Sequence, residues 1–180
     1  MIMKIESLIE IAKDCGFTVA APLDPKTLKH LPEVREMCAA DRCHSYNKSW
    51  SCPPACGSLE ELETRCSAYG KGILVQTVGK LENSYDYAAM MELEQRHQKN
   101  FQDFVNRLRA EGLDIFPMGV GACRLCEKCT WPDEPCRFPD LAYPSMEACG
   151  IFVSQVCKDN GVPYYYGPNS MAFVSCCLYN

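Results

Sequence analysis

Cys123, Cys126 and Cys129 stand at two-residue intervals, and Cys136-Arg137-Phe138-Pro139 follows six residues later. Each C-x2-C turn can point two sulfurs into one concavity, so this run can wrap three thiolates, then a fourth, around one compact object. Zinc usually takes one such pair and finds its other ligands elsewhere. A third cysteine in the same series, with a fourth further on, is the ligand run of a [4Fe–4S] cluster. The gap to the fourth is longer than in bacterial ferredoxins, and the proline comes three residues after it rather than at once. The spacing favours a [4Fe–4S] cluster on Cys123, Cys126, Cys129 and Cys136. Structural zinc is the alternative, and a disulfide or an inert group of thiols the third reading.

A second set precedes it. Cys38, Cys43, Cys52 and Cys56 are spaced C-x4-C-x8-C-x3-C in the segment 36–57, where helical and strand periodicity both disappear. A stretch of that length without a pattern needs another source of order inside a compact domain, and a metal supplies one. Cys52-Pro53-Pro54 stiffens the backbone beside a sulfur and removes two amide donors. The competing reading is four ordinary thiols around a proline turn. Two variants of the metal reading stay open: the two segments share one centre, or Cys56 is not a ligand and leaves a position for a substrate or a partner's ligand. Cys149 is a substitute ligand if Cys136 is not one, since it falls in the first turn of an expected helix, where the dipole favours a thiolate.

Fourteen cysteines in 180 residues leave two common explanations, a secreted disulfide framework or an intracellular metal protein. The N-terminus, Met1 to Ser7, carries no long apolar run and no cleavage signature, and no window approaches eighteen consecutive apolar residues. The expectation is therefore a cytoplasmic protein with reduced thiols and no membrane span. A net charge of -5 argues against general nucleic-acid binding.

The elements that must position these cysteines read as one α/β domain over 1–180. Ile5, Leu8, Ile9 and Ala12 give a helix over 4–14 that stops at Gly16. Asp24-Pro25 opens a short helix interrupted at Pro32. Ser58-Leu59-Glu60-Glu61 is a capping box starting a helix that runs to about Tyr69. Strands are expected at 72–78, 114–120, 162–166 and 171–178. A long helix from about Ser84 to Glu111 joins the first two strands as a βαβ crossover with parallel strands. The last two form a C-terminal hairpin around Gly167-Pro168-Asn169-Ser170. A helix from Met146 to about Asn160 lies between. The sheet is thus mixed, with at least four strands, and two cysteine-rich loops, 36–57 and 121–144, cap it.

Little else in the chain carries chemistry. His30, His44 and His97 lie in unrelated contexts, and His97 falls on the apolar stripe of the long helix, which reads as a core histidine with one satisfied hydrogen bond. No glycine-rich phosphate loop is present. Tyr164-Tyr165-Tyr166 lacks the basic neighbours of a base-stacking surface and reads as strand packing with one exposed ring. Arg124, Lys128 and Arg137 among the loop cysteines, and Arg42 and Lys48 among the earlier ones, would offset thiolate charge, while Glu127, Asp133 and Glu134 oppose them.

Cys38-x4-Cys43-x2-Tyr46-x5-Cys52-Pro53-Pro54, the triple-cysteine run, Cys136-Arg137-x-Pro139 and Ser145-Met146-Glu147-Ala148-x-Gly150-Ile151 together resemble an uncharacterised prokaryotic family. It is known as domain of unknown function 2284, predicted metal-binding proteins frequent in anaerobic bacteria and archaea. The resemblance covers roughly residues 36 to 178 and implies metal binding, iron–sulfur in kind, with no established reaction. Residues and resemblance together lead to one or two [4Fe–4S] clusters serving electron transfer or redox sensing with a partner enzyme. A zinc-stabilised interaction module, and an enzyme using a cluster with an open iron site, are the alternatives.

Overall fold

The computed structural model describes residues 3–180. It is a three-layer α/β arrangement around one four-stranded sheet. The strands are β1 (Val19–Leu23), β2 (Lys71–Lys80), β3 (Ile115–Met118) and β4 (Ser170–Tyr179). Their spatial order is β1-β2-β4-β3, and every neighbouring pair is antiparallel.

The strands expected at 72–78, 114–120 and 171–178 are present, and the α/β class holds. Three details differ. β1 was not expected, because Val19-Ala20-Ala21-Pro22-Leu23 is short and contains a proline; it is an edge strand, where a missing amide donor is tolerated. Residues 162–166 form no strand, so there is no C-terminal hairpin. Instead β4 pairs along its length with β2, Lys71 facing Tyr179 and Lys80 facing Ser170. β2 and β3 do run in the same direction across the long helix, but β4 lies between them, so the expected parallel pair does not form. Its last six residues, Ser175 to Tyr179 with Val174, are buried on both faces, which suits the central slot and excludes an edge.

Alternation along β2 and β4 divides the core. Ile73, Val75, Cys177 and Tyr179 face helices α1 (Ile5–Asp14) and α4 (Tyr87–Ala110), packing with Leu8, Phe101, Phe104 and Leu108. Leu74, Cys176 and Leu178 face the other way, toward α3 (Leu59–Ser67), α5 (Val153–Asp159) and Met146. The capping box at Ser58 forms as read, with the Ser58 side chain accepting from the Glu61 amide at 3.2 Å and the Glu61 carboxylate from the Ser58 amide at 2.7 Å. Asp24 caps only a 3-10 turn, Pro25–Thr27, and Pro32 begins a helix of its own, α2 (Pro32–Ala39), instead of merely ending one.

The expected helix from Met146 to Asn160 is two pieces. A 3-10 turn, Glu147–Cys149, ends at Gly150, whose φ of 76° is left-handed, and α5 starts afresh at Val153. Gly150 has close neighbours: a Cβ there would meet Leu59 Cδ2 at 2.7 Å and the Leu31 backbone oxygen at 3.0 Å. The Gly150 carbonyl accepts from the Leu31 amide at 2.8 Å, tying this turn to the start of α2. No helix among the described residues is long and apolar enough to cross a membrane.

Candidate metal centre

The long cysteine loop leaves the sheet at the end of β3 and is closed at its neck. The Gly119 amide donates to Pro144 O at 2.8 Å and the Met146 amide to Gly119 O at 3.1 Å, so Gly119 and Ser145 form a bridge between the two ends. From α4, Gln98 donates to Val120 O at 3.1 Å and to Ala122 O at 3.2 Å, and the Arg109 guanidinium donates to Asp140 O. Between these anchors the chain has no regular element.

Cys123, Cys126, Cys129 and Cys136 line one narrow cavity of about 20 Å³, walled by Trp50, Arg137, Phe138 and Ala142. Burial pushes the Cys123 thiol up; the Leu125 backbone N–H donates to it and pulls it down, and the nearby thiols of Cys136, Cys126 and Cys129 push it up again. Arg137 is held in its charged form chiefly by a hydrogen bond to Cys126, and it also donates to Lys128 O at 2.9 Å. The four cysteines and the Arg137 guanidinium thus border the same cavity, with the Leu125 amide directed at Cys123.

The earlier set lies against the same region. Cys38 lies in the last turn of α2, whereas the sequence suggested a patternless segment from Glu36 onward. Burial raises its thiol to about 11, helped by Glu147, opposed by Arg35, and raised further by Cys43 and Cys52. Cys43 is exposed and Cys52 is buried. Cys56 sits beside Cys52 and Arg35; burial again raises its thiol and the Arg35 guanidinium lowers it. Arg35 also fixes the frame, donating to Ala148 O and to Gly57 O, both at 2.6 Å. Turns do the work of a regular element here: Asp41 accepts from the Tyr46 amide at 2.9 Å and pairs with Lys48 at 3.5 Å. Asp41, His44 and Asn47 all take positive φ.

The two segments are knitted together by residues that the sequence reading passed over. The Trp50 and Trp131 rings meet edge to face with centroids 4.7 Å apart. Trp131 Nε1 donates to Asn47 Oδ1 at 3.0 Å, and Trp50 Nε1 to Glu134 O at 3.2 Å. Ser51 Oγ accepts from the Cys123 amide at 3.3 Å and lies 4.0 Å from Cys52 Sγ. A signal was present: the chain has two tryptophans, one in each cysteine segment.

The remaining six cysteines, Cys15, Cys66, Cys149, Cys157, Cys176 and Cys177, are buried core residues. Cys149 packs with Leu62, Cys66 and Val156 and does not join the loop, so it is no substitute for Cys136. Its thiol is pushed well up, by burial first and then by Cys66 and Cys56. Among the described residues no three His, Cys, Asp or Glu side chains converge as a ready site for a single metal ion. The donor set itself is all sulfur in both segments, the soft kind that selects zinc, copper(I) or iron–sulfur clusters.

Residues 21–179 match a family of predicted metal-binding proteins, DUF2284. The chain belongs to that family. No curated protein and no solved structure matches it. Both cysteine segments, the sheet apart from its first two residues, and the α2 and α3 frame fall inside the DUF2284 match, while α1 lies outside. Metal binding is thus the family's described property, and the two sulfur-rich segments are where this chain concentrates the donors for it.

Proposed function

We propose that this chain is an iron–sulfur protein exchanging electrons with a protein partner. Cys123, Cys126, Cys129 and Cys136 would hold one [4Fe–4S] cluster, and Cys38, Cys43 and Cys52, with Cys56 beside them, a second. The observation that carries this is the juxtaposition of two all-thiol groups that share Ser51 as a common wall. When bound, such a cluster supplies one-electron chemistry at a potential its surroundings set.

The chain's own residues define those surroundings. Arg137 places positive charge on Cys126, the Leu125 amide points at Cys123, and Trp50, Phe138 and Ala142 line the cavity beside the sulfurs. Positive charge and amide hydrogen bonds at the sulfurs raise a cluster's potential. The cavity has room for about one water, so the four side chains would turn outward around a larger group. The loop contains no helix or strand that would resist this. The exposed Cys43 marks the side from which a partner protein would approach.

Iron and acid-labile sulfide, measured after anaerobic reconstitution of the full chain, test the reading. Two clusters give about eight irons per chain and one gives about four. Brown protein that bleaches with dithionite is the expected product. A colourless protein that retains zinc and takes up no sulfide would overturn the proposal in favour of a zinc-stabilised module. Full iron retention in a Cys43→Ser, Cys52→Ser double variant would remove the second centre alone.

A further inference from the structure

A cavity of about 400 Å³ lies on the other side of Cys123 from the thiol group, between α4 and the start of the cysteine loop. That volume is in the range of small-molecule sites. Phe101, Leu141 and Tyr143 supply an apolar wall, with the Phe101 and Tyr143 rings edge to face at 5.3 Å. Lys99 and Arg124 line it as well, and no carboxylate does. Glu94 stands 4.0 Å from Arg124 as its ion-pair partner, with its carboxylate beside Gly121. Gln98 has both amide hydrogens committed to loop carbonyls, so its remaining capacity is to accept. Ser175 reaches the lining with its hydroxyl 2.8 Å from His97 Nε2.

The backbone is shaped around this space. Gly119 and Gly121 both line it, and a Cβ on Gly119 would meet the Tyr143 ring at 3.0 Å. Gly121 has a φ of 64°, and a Cβ there would strike the Glu94 carboxylate. Glu94 offsets Arg124, which leaves Lys99 as the uncompensated cation at an apolar, aromatic-walled cavity, a match for a small organic anion with an apolar body. A phosphate ester is a poorer match, since the cavity offers neither a glycine-rich loop nor a helix N-terminus.

We propose that this cavity binds a small aromatic or branched aliphatic carboxylate, seated with its apolar body against Phe101 and Tyr143 and its carboxylate toward Lys99 and Arg124. The occupant would then lie against the backbone that carries Cys123. This goes beyond electron exchange with a protein partner and does not depend on which metal the thiols hold.

The probes are benzoate and phenylacetate, with benzamide as the uncharged control, titrated against the full chain and followed by saturation-transfer NMR and calorimetry. Both carboxylates should bind saturably with millimolar dissociation constants, as befits ligands of this size. Benzamide should bind about tenfold more weakly, the loss of one charged contact. Lys99→Met and Arg124→Met should each reduce the preference for benzoate over benzamide, and Gln102→Trp, on the helix flank of the cavity, should abolish binding of all three. Equal binding of benzamide and benzoate, no saturable binding by either carboxylate, or unchanged binding in Gln102→Trp with an unaltered far-UV spectrum would each overturn the proposal. Measuring the iron content of the same sample keeps a failure here distinct from a failure of the cluster reading.

Discussion

The backbone amide of Cys123 donates to the Ser51 hydroxyl at 3.3 Å, and that same oxygen lies 4.0 Å from the sulfur of Cys52. One small side chain thus stands between the first cysteine of the loop and a cysteine of the earlier segment, far apart in sequence. Ser49 supports it from behind, hydroxyl to hydroxyl at 3.2 Å. Ser51→Ala should leave the fold intact and cost about 1 kcal/mol, the ordinary worth of one hydrogen bond. Because the lost contact is the one joining the segments at Cys123, limited proteolysis within 121–144 should quicken while cleavage elsewhere stays constant. Unchanged loop proteolysis would mean that the Trp50–Trp131 pair and its hydrogen bonds to Glu134 and Asn47 hold the segments together without Ser51.

Cys126→Ser should have a wider effect. Arg137 is anchored on Cys126, and the loop from Gly121 to Pro144 has no helix or strand to hold it once the sulfur group is broken. Metal binding and local folding are coupled in such segments. The expected outcome is loss of the metal of this group and rapid proteolysis between Gly121 and Pro144, with the far-UV signal of the sheet preserved. A variant with the parent's metal content and cleavage pattern would make Cys126 a bystander.

The candidate site was easier to mark in the sequence than the order of the sheet. Cysteine spacing is local, so the loop run and its companion segment could be marked before any fold was known. Cys176 and Cys177 lie in the strand expected at 171–178, and its alternation sets them on opposite faces of β4. The partner of β4 was not legible. A ten-residue buried strand pairs equally well in several slots by composition, and the choice is made by the whole core. Residues 162–166 carry strand-like Val and Tyr, yet Tyr165 is largely exposed and Tyr166 turns its hydroxyl to Gln76 at 2.5 Å. Tertiary contacts overrode propensity there. The break at Gly150 was hidden for a related reason: the helical pattern on either side continues across it, and only its packing on Leu31 and Leu59 requires the left-handed turn.

That break gives a sharp stability prediction. In Gly150→Ala the new Cβ meets Leu59 Cδ2 at 2.7 Å and the Leu31 amide nitrogen at 3.1 Å, with φ at 76°. The left-handed conformation alone costs a non-glycine residue roughly 1–2 kcal/mol. Leucine's methyl can shift, but the Leu31 backbone begins α2, so relief there displaces the helix that carries Cys38. A loss of about 2 kcal/mol or more is expected in denaturant unfolding, together with weaker metal retention by the earlier cysteine group. Gly161→Ala is the control: its φ of 69° carries the same backbone strain, but nothing stands within 4 Å of a Cβ there. Equal losses in the two variants would show that packing at Gly150 contributes nothing.

His97 makes the fold sensitive to acid. It is fully buried, hydrogen-bonded through Nδ1 to Thr77 Oγ1 and through Nε2 to Ser175 Oγ, both at 2.8 Å, where the sequence suggested one such bond. Desolvation lowers its pKa from 6.5 to about 3. Between those two values the unfolded chain takes up a proton that the folded chain refuses. Stability contributed by this group is therefore complete above pH 6.5 and falls as the pH drops toward 3. The slope from one such proton approaches about 1.4 kcal/mol per pH unit. His97→Asn should be less stable at neutral pH, because it empties part of the contact with Phe17 and Phe101. It should also lose stability less steeply on acidification, since asparagine does not titrate. Unfolding free energies measured from pH 7 to 4.5 on both proteins decide the matter: converging curves support the neutral buried imidazole, and parallel curves would assign the acid sensitivity to the carboxylates.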